Sequence, residues 1–150
     1  MAHLIRQATR ESHPGSLWQG GADDVTGNAG YGLIILCAEE FQPAANLIAK
    51  PGTQVFYAPN DDGEKPFTRA QLTIASAASR AAVKGYREGR KVLVSCMQGR
   101  NRSGLVTALT LHRLYGMSGE RCRGYIRARV PNALTNPDFN RFLDTLKAKS

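Results

Sequence analysis

Apolar and polar positions fall into short blocks along the chain. The first fifteen residues, MAHLIRQATRESHPG, hold no sustained period and read as a loose polar lead-in. SLWQGG at 16–21 reads as a short strand running into a Gly-Gly turn. The unbroken apolar run Leu33 to Cys37 has the length of a strand buried on both faces. AANLIAK is ambiguous between a helical turn and a loop, and TQVFYAP at 53–59 reads as a strand stopped by Pro59. Thr68 with Gln71 forms a capping box, so a helix is expected from there to about Glu88. Its apolar stripe is Leu72, Ala75, Ala78, Ala82 and Tyr86, and Gly89 is placed to end it.

KVLVS at 91–95 is the clearest buried strand. From Ser103 to Tyr115 the pattern is helical and apolar on most sides, which predicts a central helix covered by others, with Gly116 at its C-cap. Ser118 can cap a further helix through about Arg129, halted by Pro131. Asn136 and Pro137 form an N-cap and first-turn pair, and Phe139, Phe142, Leu143 and Leu146 give the spacing of a last helix. Strands come early and helices late, so the expected fold is α/β: a small central sheet flanked by helices. At 150 residues one domain over 1–150 is expected.

Composition narrows the class. The chain is 42% hydrophobic and 21% charged, in the range of ordinary globular proteins. No segment approaches the roughly 18 apolar residues of a membrane span, and the N-terminus has no apolar stretch of signal-peptide length. Three cysteines, Cys37, Cys96 and Cys122, without CxxC spacing argue against a disulfide scaffold and against a zinc site. A reduced, cytoplasmic setting is the expectation. The net charge is +8, and between Arg100 and Val130 seven arginines face one acid, Glu120. Such a field favours anionic partners: phosphoproteins, nucleic acid or acidic lipid.

The chemistry concentrates in VLVSCMQGRNRSG, residues 92–104. A strand, a glycine-containing loop and a helix N-terminus direct several backbone N–H groups into one small space, where the helix dipole adds positive potential. Such a nest takes a phosphate-sized anion. Cys96 at its rim sits in a field that favours the thiolate, a good nucleophile. Arg102 can grip two phosphate oxygens in a bidentate fork. Met97, Gln98, Gly99, Arg100 and Asn101 supply the remaining wall of the nest. Cys37 and Cys122 read instead as small buried hydrophobes.

Cys96 to Ser103 has the form C-x5-R-S, and on this loop the chain resembles the cysteine-dependent protein tyrosine phosphatase superfamily, in particular its compact dual-specificity branch. LWQGG is similar to that branch's opening LYxGx strand, and YGLIILCAEE to its second strand. YAPNDD resembles the segment carrying the general acid, and YIRARVPNALTNPDFNRFLDTL its closing element. The resemblance spans about residues 16–146. It implies a metal-free reaction in two steps. Cys96 attacks phosphorus, Arg102 and the loop amides hold the equatorial oxygens, and Ser103 stabilises the departing thiolate. It also implies an aspartic acid in PNDDG that protonates the leaving oxygen and then activates water. Asp61 fits the family spacing to Phe67 better than Asp62, which reads as a turn residue beside Gly63. One departure stands out: Ser95 occupies the position where the family usually has histidine.

The chain has no room for the long loops that deepen the pocket of tyrosine-specific members. The substrate expectation is therefore a phosphoprotein, on tyrosine and also on serine and threonine. An RNA 5′-triphosphate comes second, since GxNRS also resembles the loop of RNA 5′-triphosphatases and the arginines suit RNA. Lipid phosphate comes third. From another class, an inactive phosphate-binding module is the competing reading. The joint presence of Cys96, Arg102 and an upstream aspartate speaks against it.

Overall fold

A computed structural model of the chain describes residues 2–8, 14–25, 30–38, 52–60 and 67–149. Five strands form one sheet in the order β1-β2-β5-β3-β4. They are β1 (His3–Gln7), β2 (Ser16–Gly20), β3 (Leu33–Ala38), β4 (Gln54–Asn60) and β5 (Lys91–Ser95). β1 runs antiparallel to β2, while β2, β5, β3 and β4 are mutually parallel. The helices are α1 (Ala22–Val25), α2 (Arg69–Arg87), α3 (Arg102–Tyr115), α4 (Gly119–Arg127) and α5 (Pro137–Asp144).

The sheet has two unequal faces. Leu17, Leu33, Ile35, Cys37, Val92 and Val94 belong to the main core with α2 through α5. Ile34, Leu36 and Leu93 face the other way, into a small cluster with Val25 and Tyr31. Both faces of β3 are therefore buried, which is why its sequence is continuously apolar rather than alternating. α2 lies close on the sheet because its inner stripe is small. A Cβ at Gly85 would sit 2.8 Å from Leu33. α3 is buried along most of its length between α2 and α4. Among the described residues no helix is long and apolar enough to cross a membrane.

Local signals set the helix ends. Thr68 and Gln71 form the capping box reciprocally. Gly116 closes α3 in the left-handed region at φ 69°. Asn136 caps α5 by accepting from the N–H groups of Asp138 and Phe139.

Two expectations change. His3–Gln7, read as part of a loose lead-in, is an edge strand. Ile5 is buried, and Arg6 lies over the Tyr115 ring at 4.5 Å while donating to the Tyr125 hydroxyl at 3.4 Å. Only one of its side chains enters the core, too weak a period to read from sequence. Pro59 does not stop β4, which runs to Asn60. β4 is the sheet's other edge, where a missing N–H costs no ladder bond. AANLIAK and the PNDDG acids lie outside the described residues.

Candidate active site

The parallel strands end together, and a ligand site in such a sheet is expected outside their carboxyl ends. There β5 hands over to the loop 96–101 and the loop to α3. The corner after β2 carries that loop. Cys96 N–H donates to the Gly20 carbonyl at 3.3 Å, and Ala22 N–H to the Met97 carbonyl at 3.1 Å. Ser95 Oγ donates to the Gly21 carbonyl at 3.0 Å. Gln19 Nε2 donates to the Gly99 carbonyl at 2.9 Å. Gly99 itself has φ 71°, and a Cβ there would lie 2.6 Å from the Gly20 carbonyl carbon. Both facts restrict this position to glycine.

The far side of the loop is braced by the turn before α5. Asn101 stands at the N-cap of α3, yet its side chain does not cap that helix. Its Oδ1 accepts from the N–H groups of Thr135 at 2.7 Å and Asn136 at 2.9 Å. Leu134 N–H donates to the Arg100 carbonyl at 3.2 Å. Leu134 has a positive φ of 56° and Asn132 one of 68°, an uncommon backbone for either residue. Arg127 holds that turn in place, donating from Nε to the Ala133 carbonyl and from its terminal nitrogen to Leu134 at 2.5 Å.

Inside this frame the candidate reactive groups are close together. Cys96 Sγ and Ser103 Oγ are 3.3 Å apart, both buried. Arg102 is only 6% exposed, and its guanidinium donates to the Asn60 carbonyl at 3.3 Å. That contact ties the first residue of α3 to the last residue of β4. Asn60 in turn donates to the Gln71 carbonyl at 3.0 Å. Asp61, the expected general acid, follows Asn60 directly but lies outside the described residues, as does Asp62. Met97, Gln98 and Arg100 are exposed on the outer wall. With Asp23 and Asp24 of α1 they line a cleft of about 440 Å³ beside the loop.

The three thiols differ in setting. Burial pushes Cys37 well above its ordinary value, and the neighbouring Cys96 pushes the same way, offset only in part by Arg102. Burial pushes Cys122 up to about 11. Both therefore stay protonated and inert at neutral pH. Among the described residues no three His, Cys, Asp or Glu side chains cluster in a way that could hold a metal ion.

The basic field also resolves into parts. Arg113 donates to Ser79, Arg123 pairs with Asp144, and Arg129 lies over the Tyr125 ring at 3.6 Å. Together with Arg127 these side chains tie helices and turns, Arg127 and Arg129 while remaining exposed, as Arg100 and Arg121 also are. Gln19 and the bracing role of Asn101 were not anticipated from sequence. Gln19 sits in a short apolar strand with nothing to mark its reach to a residue 80 positions away.

Solved structures match this architecture over most of the chain. Human DUSP28 is 27% identical with a TM-score of 0.68, covering 85% of this chain and 90% of its own. A mouse dual specificity phosphatase, described as putative and solved with zinc tungstate, is 28% identical with a TM-score of 0.66 over 85% of this chain and 79% of that one. PTPMT1 in complex with PI(5)P shares the fold at 18% identity and a TM-score of 0.70, over 85% of this chain and 87% of its own. No family model matches the sequence, and no curated protein sequence does.

Proposed function

We propose that this chain, a cysteine-based phosphatase of the compact dual-specificity branch of the protein tyrosine phosphatase superfamily, dephosphorylates phosphoproteins on tyrosine, serine and threonine through a phosphocysteine. The observation that carries the mechanism is the Cys96–Ser103 contact at 3.3 Å at the mouth of α3, with Arg102 one residue away. The Cys96 thiolate attacks phosphorus in line, and an S–P bond forms as the P–O bond to the leaving group breaks. Arg102 and the loop amides take up the charge on the equatorial oxygens. Asp61 gives its proton to the leaving oxygen. Water then attacks phosphorus and loses a proton to Asp61, the S–P bond breaks, and Ser103 stabilises the released thiolate. The Arg102–Asn60 hydrogen bond supports Asp61 as the acid, because it brings the chain entering Asp61 to the loop. Met97 to Asn101 form the rest of the phosphate cradle by their backbone.

Protein substrates are favoured over RNA for two reasons. The dual-specificity relatives above share more than a quarter of their residues with this chain. Four of the arginines that suggested RNA, Arg113, Arg123, Arg127 and Arg129, bond to other parts of the chain, which leaves fewer of their donors for RNA. The close approach of Cys96 to Ser103, with Arg102 beside them, favours turnover over the inactive-module reading.

The test is hydrolysis of para-nitrophenyl phosphate, blocked by vanadate, followed by a panel of phosphopeptides, triphosphorylated RNA and phosphoinositides compared by kcat/KM. Phosphopeptides should lead the panel. A preference for triphosphorylated RNA or for phosphoinositide would overturn the substrate assignment, and absence of any turnover would overturn the mechanism.

A further inference from the structure

We infer that Gln19 is a positioning residue for the phosphate loop, fixing the Gly99–Arg100 peptide so that its N–H faces the bound phosphate. The inference rests on the phosphatase reading above. Gln19 is fully buried on β2, on the same face of the sheet as Leu17 and beneath the loop. Its Nε2 donates to the Gly99 carbonyl at 2.9 Å. A trans peptide is planar, with N–H and C=O pointing in opposite directions. A Gly99 carbonyl drawn down toward Gln19 therefore sends the Arg100 N–H away from Gln19. Gly99 is the residue able to swing between left- and right-handed backbone, so the peptide after it is the loop's natural hinge. Were that peptide to turn over, a carbonyl would replace a donor in the cradle and repel the anion.

The other end of the amide argues against packing as the reason for a glutamine here. Gln19 Oε1 is buried and has no hydrogen-bond partner among the described residues. Burying an unpaired amide oxygen is a cost that an apolar side chain of similar size would not carry. A leucine or methionine would fill the space and remove the unpaired oxygen, at the expense of the bond to the Gly99 carbonyl, so the two effects on stability oppose each other. A buried glutamine with half its amide unpaired is instead suited to holding one carbonyl. The adjacent bond from Ser95 to Gly21 fixes the strand end, but it reaches only the start of the loop. Among the described residues, Gln19 is the side chain on this corner that reaches its apex.

The experiment compares Gln19→Leu and Gln19→Met with the unaltered protein, in thermal unfolding and in turnover of one aryl and one alkyl phosphate. Tungstate affinity is measured separately in the Cys96→Ser background. The expected result is a folded protein with a Tm within a few degrees of wild type and kcat lowered by about 10- to 100-fold, less than the ~10²- to 10³-fold of losing an oxyanion donor outright. That loss should be equal for aryl and alkyl phosphates, unlike the loss of a general acid, and tungstate should bind more weakly by a similar factor. Unchanged kcat and tungstate affinity in both variants would overturn the inference. So would unfolding of both at the assay temperature, which would make Gln19 a structural residue. A wild-type protein that neither turns over a phosphomonoester nor binds tungstate would instead sink the phosphatase reading on which the inference stands.

Discussion

The proposed nucleophile, Cys96, is distinguished from the other thiols by position, not by burial, since all three cysteines are buried. Cys96 alone faces Ser103 at the start of a helix. Iodoacetate should therefore modify Cys96 well before Cys37 or Cys122, and inorganic phosphate should protect it; peptide mapping after limited alkylation reads this directly. The inert thiols carry a consequence for stability. Cys122 is held near 11, above its ordinary value, so at high pH the unfolded chain releases this proton before the folded one does. The folded state then binds more protons, and stability must fall as pH rises. The loss begins near the unfolded thiol value and grows until pH passes about 11, reaching on the order of 2 kcal/mol. Denaturant unfolding of the wild type and of Cys122→Ala at pH 8 and pH 10.5 should show a smaller alkaline loss in the variant. The two neighbouring aspartates separate by leaving group. Asp61→Asn should flatten the basic limb of the kcat/KM profile and slow alkyl phosphates by about 10² to 10⁴, while Asp62→Asn leaves that limb intact. If neither does so, the acid lies elsewhere, with Glu64 and Glu40 the next to examine.

At the scale of elements, the proposed phosphate loop is held between two supports, the corner after β2 and the turn before α5. Arg127 is the main tie of the second support, spanning two carbonyls next to a residue with positive φ. Arg127→Lys keeps the charge and loses the planar fork. It should lower stability by about 2 kcal/mol in denaturant unfolding and weaken tungstate binding in the same protein. Normal tungstate affinity after that loss would mean the turn does not steady the loop. Much of this frame was legible in the chain itself. The caps at Thr68, Gly116, Ser118 and Asn136 are local devices, readable because their partners lie within a few residues. The loop from Cys96 to Ser103 was readable for the same reason. What escaped is held by distant partners: β1 by a single buried Ile5 and by aromatic contacts with α3 and α4, and the loop's apex by Gln19. The contacts of the arginines were not legible either. Charge counts cannot tell a guanidinium spread over solvent from one folded back onto carbonyls.

Over the whole molecule the net charge of +8 remains, whatever its side chains contact, and it should draw anionic substrates from a distance. Exposed Arg100 lines the cleft beside the proposed phosphate cradle. Arg100→Ala should lower kcat/KM for acidic phosphopeptides at low salt, and the difference should shrink as salt shortens the Debye length from about 10 Å at 0.1 M to about 3 Å at 1 M. A loss that ignores salt would assign Arg100 to the loop's structure instead. The single sheet brings strand ends, helix N-terminus and bracing turn to one edge, and all of it serves one proposed event, transfer of a phosphoryl group to Cys96. The most direct measurement is the intact mass of protein quenched in acid during turnover of para-nitrophenyl phosphate, with the modified residue located by peptide mapping. The expected result is one added phosphoryl group on Cys96, absent from a Cys96→Ser protein whose activity is below about one percent of wild type. Steady turnover with an unmodified Cys96, or a Cys96→Ser protein that still hydrolyses the substrate well, would contradict it.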